Sequence, residues 1–326
     1  MKINYTLILL LFLFIFSCNK KHEDKINNND NIIIDTQQVN SKIDTVEKTN
    51  VDTQTVQVSE IKIKKIKRCE ILEKYKIPQP DEILIQDSTL TPDFNLLYNV
   101  NMVYLNTVFS QSVILGLVSS DLIYSTIFKN KNFILKYFTI SAKLADKLGV
   151  GRILNQKDIE NIDKQTDFDS IKNIVFSKTR QVCIELSNQN SHIELSYIIY
   201  GALIENNFLL VNTLLKNPSA SDSLYQKLAD QNEIIDNVIN YYNFVLSVVD
   251  NYDISLNLNA MINDLTEVKK VYDKIYNGES ILVNEEELKE LDTLLRKYKS
   301  NLLVKSDKKI EMQVKKNKIS IKNKQK

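Results

Sequence analysis

The chain has 326 residues, of which 42 are Lys or Arg and 41 are Asp or Glu, so its formal net charge is only +1. Such a chain has no global field that attracts nucleic acid, and no nucleic-acid partner is expected. With two histidines and five glycines, it shows no catalytic constellation, metal-ligand spacing or phosphate-binding loop. The composition therefore predicts no catalytic residue, no metal and no cofactor, and the protein is not expected to be an enzyme.

The N-terminus has the layout of a secretory signal peptide over residues 1–17. Lys2 supplies the positive charge, an apolar run follows, and the small residue Ser17 stands directly before Cys18. Ile15 to Cys18 resembles a lipobox, the cleavage and lipidation site of bacterial lipoproteins. The resemblance implies that Cys18 carries a diacylglycerol and anchors the mature protein in a membrane, since two or three acyl chains suffice for stable anchoring.

Asn19-Lys-Lys-His-Glu-Asp24 follows the cysteine. The basic-then-acidic order resembles the signal that sends some Bacteroidetes lipoproteins to the outer face of the outer membrane, although a solvated charge cluster has the same composition. The expected location is the cell envelope, lipid-anchored at the outer membrane, with its periplasmic or surface face left open. Residues 18–66 contain no aromatic side chain and cannot bury enough surface to fold, which predicts a disordered tether.

An all-α domain is predicted over residues 67–305, because apolar residues recur at spacings of three and four. The pattern favours a single bundle of about eight helices with some antiparallel hairpins; a tetratricopeptide solenoid is the alternative, but no 34-residue period is evident. In chain order the predicted helices cover residues 97–128, 133–148, 157–164, 170–186, 195–214, 224–249 and 261–275, with a last helix from Asn284. Gly116 is a candidate bend in the first of them. The predicted start signals are Ser170, a capping box at Ser191 and Glu194, and Ser221 or Ser223, and the predicted stop signals are Gly149 and Gly278.

The helix over 195–214 is apolar almost all round and is expected to be central, while Glu205-Asn-Asn207 within it argues against a membrane span. Residues 306–326 form a lysine-rich segment, read either as a solvated disordered tail or as a patch for anionic headgroups.

Three blocks in order carry a second resemblance. GLVSSDLIYSTIFKNKNFILKYFTISAKLADKLG, YGALIENNFLLVNTLL and LADQNEIIDNVINYY are similar to a group of uncharacterised α-helical lipoproteins of Bacteroidetes. The similarity extends over about Phe94 to Leu302. It implies an all-helical fold and export, and it implies no activity.

Asp121, Glu205 and Gln231 are polar residues within or beside apolar stripes. Because buried acids are costly unless they are paired, they either line a polar pocket or form a structural network that fixes the helix register. His192 is expected to face solvent at a helix start. Cys69 and Cys183 could pair in an oxidising compartment, but the sequence does not decide it.

The sequence thus favours a non-enzymatic binding or scaffolding module, held at a membrane through lipid on Cys18, with a protein partner in the envelope. The alternative is a small-ligand receptor with a polar pocket inside the bundle. The ligand, the partner and the oligomeric state are left open.

Overall fold

The computed structural model describes residues 69–83, 90–99, 105–217, 221–276 and 283–302. The predicted signal peptide, Cys18, the tether over residues 18–66, the lysine-rich segment over 306–326 and Gly278 lie outside these residues.

The fold is all-α, as the sequence predicts. Two short helices, α1 (Glu70–Lys74) and α2 (Pro80–Ile83), precede a 3-10 turn at Phe94–Leu96. Eight longer helices follow among the described residues, which confirms the expected number. They are α3 (Val108–Ile127), α4 (Lys131–Lys147), α5 (Gln156–Lys164), α6 (Phe168–Asn188), α7 (His192–Lys216), α8 (Asp222–Val248), α9 (Tyr252–Ile275) and α10 (residues 285–302).

Several helix ends follow the predicted signals. The Gly149 backbone has a φ of 80°, and Val150 N–H donates to the Ala145 carbonyl at 2.9 Å. This pair of features ends α4 in a Schellman motif, in which a left-handed residue is most often glycine. At α10, the Asn284 side chain accepts from the Glu287 N–H at 3.0 Å, so Asn284 starts the last helix as predicted.

The start of α3 was predicted wrongly at Leu97. Residues 90–99 are irregular apart from the 3-10 turn, and α3 begins at Val108. Thr107 accepts a hydrogen bond from Ser110 N–H and Ser110 accepts one from Thr107 N–H, which makes a capping box there. The apolar spacing of Leu97 and its neighbours arises because they pack against the bundle, without being helical.

Two predicted caps are also wrong. The Ser191 side chain makes no capping hydrogen bond, and the Ser191 N–H that Glu194 would accept in a capping box donates instead to Leu186 O at 2.9 Å, in the turn that ends α6. Ser170 lies inside the first turn of α6, and Asp167 is the residue that caps this helix.

The helices α3 and α7 form the centre of the bundle and pack more extensively on each other than any other pair. They run parallel, since Phe109 contacts Tyr197 near their N-termini and Ser120 bonds Ala202 O further along. A Cβ atom added to Gly116 would lie 1.9 Å from Ile198 O, so the two backbones touch at this crossing. Gly116 therefore serves a close helix crossing, within a helix that continues through it.

By length and composition α3 and α7 could each cross a membrane. However, 78% of the most apolar window of α3 and 83% of that of α7 are buried inside the protein. Buried core helices have the same composition, so this is weak evidence for a membrane span.

Candidate functional site

Asp121 on α3 and Glu205 on α7 come together in the interior, and both are completely buried. We refer to these two residues as the acid pair. A third residue, Lys299 on α10, contributes its ammonium group 2.7 Å from Glu205 Oε1. The Lys299 side chain is itself only 12% exposed. The three groups therefore form a charge cluster that is shielded from water.

Asp121 is the member of the acid pair whose surroundings more strongly favour the protonated form. Its pKa is raised well above the usual range by burial and by the negative charge of Glu205. Burial also raises the pKa of Glu205, but Lys299 opposes this effect through its charge and its hydrogen bond. A protonated Asp121 that donates to an ionised Glu205 beside a cationic Lys299 gives a cluster with no net charge, the state a low-dielectric interior favours.

The contacts of the four carboxyl oxygens in the acid pair are compatible with a proton shared between Asp121 and Glu205. Asp121 Oδ2 accepts from Tyr98 N–H at 3.0 Å, and Glu205 Oε1 accepts from Lys299. Asp121 Oδ1 and Glu205 Oε2 are buried and have no hydrogen-bond partner among the described residues. A proton shared between the two carboxyl groups would satisfy both atoms.

The cluster also fastens the irregular segment over residues 90–99 to the bundle. Lys299 Nζ donates to Leu96 O at 3.0 Å, and the Asp121 carboxyl accepts from Tyr98 N–H. Tyr137 OH donates to Tyr98 O at 2.9 Å. These bonds satisfy backbone groups of a segment that has no regular secondary structure of its own. The arrangement can therefore hold chain segments together, and its groups are already paired with one another.

Gln231 belongs to a separate network. It accepts from Asn207 Nδ2 at 3.3 Å and donates to Lys227 O at 3.1 Å, while Tyr272 OH donates to the side-chain oxygen Oδ1 of Asn207. Asn207 is two positions from Glu205 on α7, and residues at that spacing do not share a helix face. The structure thus joins Asp121 with Glu205, and it uses Gln231 to link α7, α8 and α9.

Sequence reasoning missed Lys299 as the partner of Glu205. A signal was available, because Lys299 lies between the buried Leu295 and Leu302 at spacings of four and three on the apolar stripe of α10. A cation on such a stripe, in a chain with buried acids, is a candidate counter-charge.

The sequence predicted no apolar cavity, but the interior contains one of about 50 Å³. We refer to it below as the apolar cavity. It lies between the α1–α2 segment and helices α3, α6, α7 and α8. Its hydroxyl groups include those of Ser120 and Thr179, which donate to carbonyls of their own helices at 3.3 and 3.1 Å. The lining is therefore effectively apolar. It includes Leu72, Pro80, Leu115, Cys183, Ile198, Ala202 and Leu203.

His192 is the first residue of α7, as expected, but it is only partly exposed to solvent. Its ring packs edge-on against Phe244, with centroids 5.9 Å apart, and its Nδ1 is buried without a hydrogen-bond partner in the described part of the chain. Among the residues that the structure describes, no group of three His, Cys, Asp or Glu side chains could hold a metal ion.

Comparison with protein-family models, with curated proteins and with solved structures finds no significant similarity to this chain.

Proposed function

We propose that this protein is a lipid-anchored lipoprotein of the cell envelope whose helical domain is a non-enzymatic binding or scaffolding module. The proposal of an anchor comes from the sequence, in which an apolar run and Ser17 directly precede Cys18. The resemblance of three sequence blocks to helical lipoproteins of Bacteroidetes motivates the same proposal, and the all-α fold is consistent with it.

The observation that supports a binding or scaffolding role is the closed charge cluster. A general acid or base must reach a substrate, directly or through one water. The acid pair is fully buried, and the Lys299 ammonium group donates to Glu205 Oε1 and to Leu96 O. These contacts favour a role in holding α3, α7, α10 and residues 90–99 in one arrangement.

The anchor is tested by labelling with radioactive palmitate in a bacterial host that processes lipoproteins. The wild-type chain should incorporate label and fractionate with the membrane. Cys18→Ala should lose the label and leave the membrane fraction, whereas the matched control Cys69→Ala should keep both properties. Label retained by Cys18→Ala would contradict the proposal.

A second candidate function, a receptor for a small ligand, is favoured by the apolar cavity. The sequence suggested a polar pocket around Glu205, but Glu205 is paired with Lys299, and we place the ligand in the apolar cavity instead. Its volume of about 50 Å³ exceeds the roughly 10–15 Å³ that a water needs and is below the roughly 150 Å³ of a cavity that binds benzene. It would therefore take one end of an apolar molecule, such as a short alkyl chain.

The receptor is tested by calorimetric titration with decanoate. Binding to the wild-type chain should be lost in Ala202→Phe, which places a ring at the lining of the cavity. The matched control is Ala142→Phe, at a half-buried alanine outside the lining, and it should bind as the wild type does. Failure of the wild type to bind, or equal loss in both variants, would eliminate the receptor.

A further inference from the structure

Cys69 and Cys183 lie against each other although 113 residues separate them in the sequence. Cys69 is the residue at which α1 begins, and Cys183 is on α6. The two thiols are close enough to interact directly, and helix α1, which begins after Cys69, packs on α6. Both residues are buried, and both are free thiols in this structure.

The surroundings fix the two thiols in this arrangement. Cys69 N–H donates to Gln79 Oε1 at 3.3 Å, which holds α1 to the segment that follows it. Cys183 lines the apolar cavity together with Leu72 of α1. The contact is therefore part of the packing of α1 on α6, and each thiol is already positioned next to its partner.

We propose that Cys69 and Cys183 form a disulfide bond that fastens α1 to α6 when the chain folds in an oxidising compartment. The oxidant is itself a disulfide, either that of an envelope thiol oxidase or that of oxidised glutathione. The Cys69 thiolate attacks one sulfur of the oxidant and releases the first thiol. The Cys183 thiolate then attacks the Cys69 sulfur of the mixed disulfide and releases the second thiol. Two protein thiols and one disulfide thus give one protein disulfide and two thiols, and the two cysteine protons end on the oxidant.

The roles of the two sulfurs follow from their surroundings. The hydrogen bond from Cys183 and backbone N–H groups at the start of α1 lower the pKa of Cys69, although burial opposes this. Burial raises the pKa of Cys183. Cys69 is therefore the better first nucleophile, since the thiolate is the attacking species.

The burial of both sulfurs sets the time of the reaction. Exchange with an oxidant takes place as α1 docks, when the two thiols already interact but are not yet enclosed, and the folded domain then shields the bond from reductants. The disulfide would close a long loop and so reduce the freedom of the unfolded chain. It would also fix one wall of the apolar cavity, at the place where the predicted tether meets the domain.

The inference depends on the proposed envelope location only for its natural oxidant. The test supplies glutathione as oxidant, so its failure would leave the envelope location untouched, and failure of palmitate labelling would leave the thiol contact untouched.

The full chain, kept in detergent, is unfolded in urea with reductant and refolded in a buffer of oxidised and reduced glutathione. Remaining thiols are alkylated, and the protein is digested with trypsin and weighed. We expect the peptide Cys69–Lys74 linked to the peptide Gln181–Lys216, as a mass that disappears on reduction. The oxidised protein should also unfold at a higher urea concentration than the reduced protein.

Two controls keep the test decisive. Cys183→Ser should give no linked pair and the same unfolding midpoint with and without oxidant. Oxidation in urea should give far less of the linked pair than oxidation during refolding, because the fold brings the thiols together. Recovery of both peptides in alkylated form would overturn the proposal, as would equal linkage in urea or an unchanged midpoint after linkage.

Discussion

At the scale of single residues, the main feature is that three buried ionisable groups form a neutral set. A buried charge without a partner is strongly unfavourable, whereas a complete pair costs far less. Lys299 lies 2.7 Å from Glu205 and favours its ionised form, whereas burial and the charge of Glu205 raise the pKa of Asp121 and favour its protonated form. Each of the three residues is therefore expected to respond differently to substitution.

Removal of the counter-charge should be the most damaging change. We expect Lys299→Met to lower the free energy of unfolding by about 3–5 kcal/mol, because it leaves Glu205 buried without a cation. The control is Lys297→Met, which breaks an exposed 3.5 Å pair with Glu267 and should cost at most about 1 kcal/mol. Urea denaturation of the two variants measures the difference, and equal losses would contradict a buried charge at Glu205.

The acid pair also predicts a dependence on pH. Asp121 has a pKa that is raised on folding, so the stability it contributes is fully present below its unfolded pKa of about 3.9. This stability is lost as the pH rises through the folded pKa. Asp121→Asn keeps a hydrogen-bond donor but has no proton to lose. We therefore expect its free energy of unfolding, relative to wild type, to increase between pH 4 and pH 7.

The slope of that increase can reach about 1.4 kcal/mol per pH unit, the value for one proton. Urea titrations of both proteins across this range provide the measurement. Glu205→Gln serves as the contrast, because it leaves Lys299 without its partner and should destabilise the protein at pH 7. A constant difference between Asp121→Asn and wild type would show that Asp121 is ionised in both states.

At the scale of elements, the decisive contact is the crossing of α3 and α7. A Cβ atom at Gly201 would lie 2.0 Å from Val113 O, and one at Gly116 would lie 1.9 Å from Ile198 O. These neighbours are backbone atoms of the opposite helix, and they cannot turn aside as a flexible side chain could. The two glycines therefore set the distance between the central helices.

Gly116→Ala and Gly201→Ala should each lower the free energy of unfolding by about 3 kcal/mol or more, at the upper end of the cost of overpacking. The control is Gly149→Ala. That glycine has a φ of 80° and no atom within 4 Å of an added Cβ, so only local strain of about 1 kcal/mol is expected. Urea denaturation of the three variants should show this order, and a smaller effect at Gly116 than at Gly149 would refute the close crossing.

The same elements show what the sequence could predict. Helix positions follow from local apolar spacing and from caps such as Gly149 and Asn284, which act within a few residues of the chain. The start of α3 was missed because Leu97 and its neighbours have helical spacing but are held by side chains of other elements, among them Asp121 and Tyr137.

The site was predicted only in part for the same reason. Burial of Asp121 and Glu205 follows from their place in apolar stripes, but the partner of Glu205 is 94 residues further along the chain. Gln231 has the same local appearance as the other two residues and lies in a different network. The apolar cavity depends on how five elements pack together, and no local sequence pattern predicts it.

At the scale of the whole molecule, α10 completes the core that the earlier helices form. Its inner face buries Leu288, Leu291, Leu295, Tyr298 and Leu302, and it also carries the cation of Glu205. The central helices therefore depend on a helix from the end of the described chain for both apolar cover and charge balance. Domain stability should then change sharply with the position at which the chain is cut.

Two truncations define this dependence. A chain ending at Asn284 lacks α10, which exposes apolar core residues and leaves Glu205 without a cation, so we expect its cooperative unfolding transition in urea to be lost. A chain ending at Lys305 keeps α10 and removes only residues 306–326, which the sequence predicts to be a solvated tail, so its midpoint should equal that of the full chain. Circular dichroism against urea measures both. A cooperative transition in the shorter chain would mean that the central helices fold without α10, and the acid pair would then need another source of neutralisation.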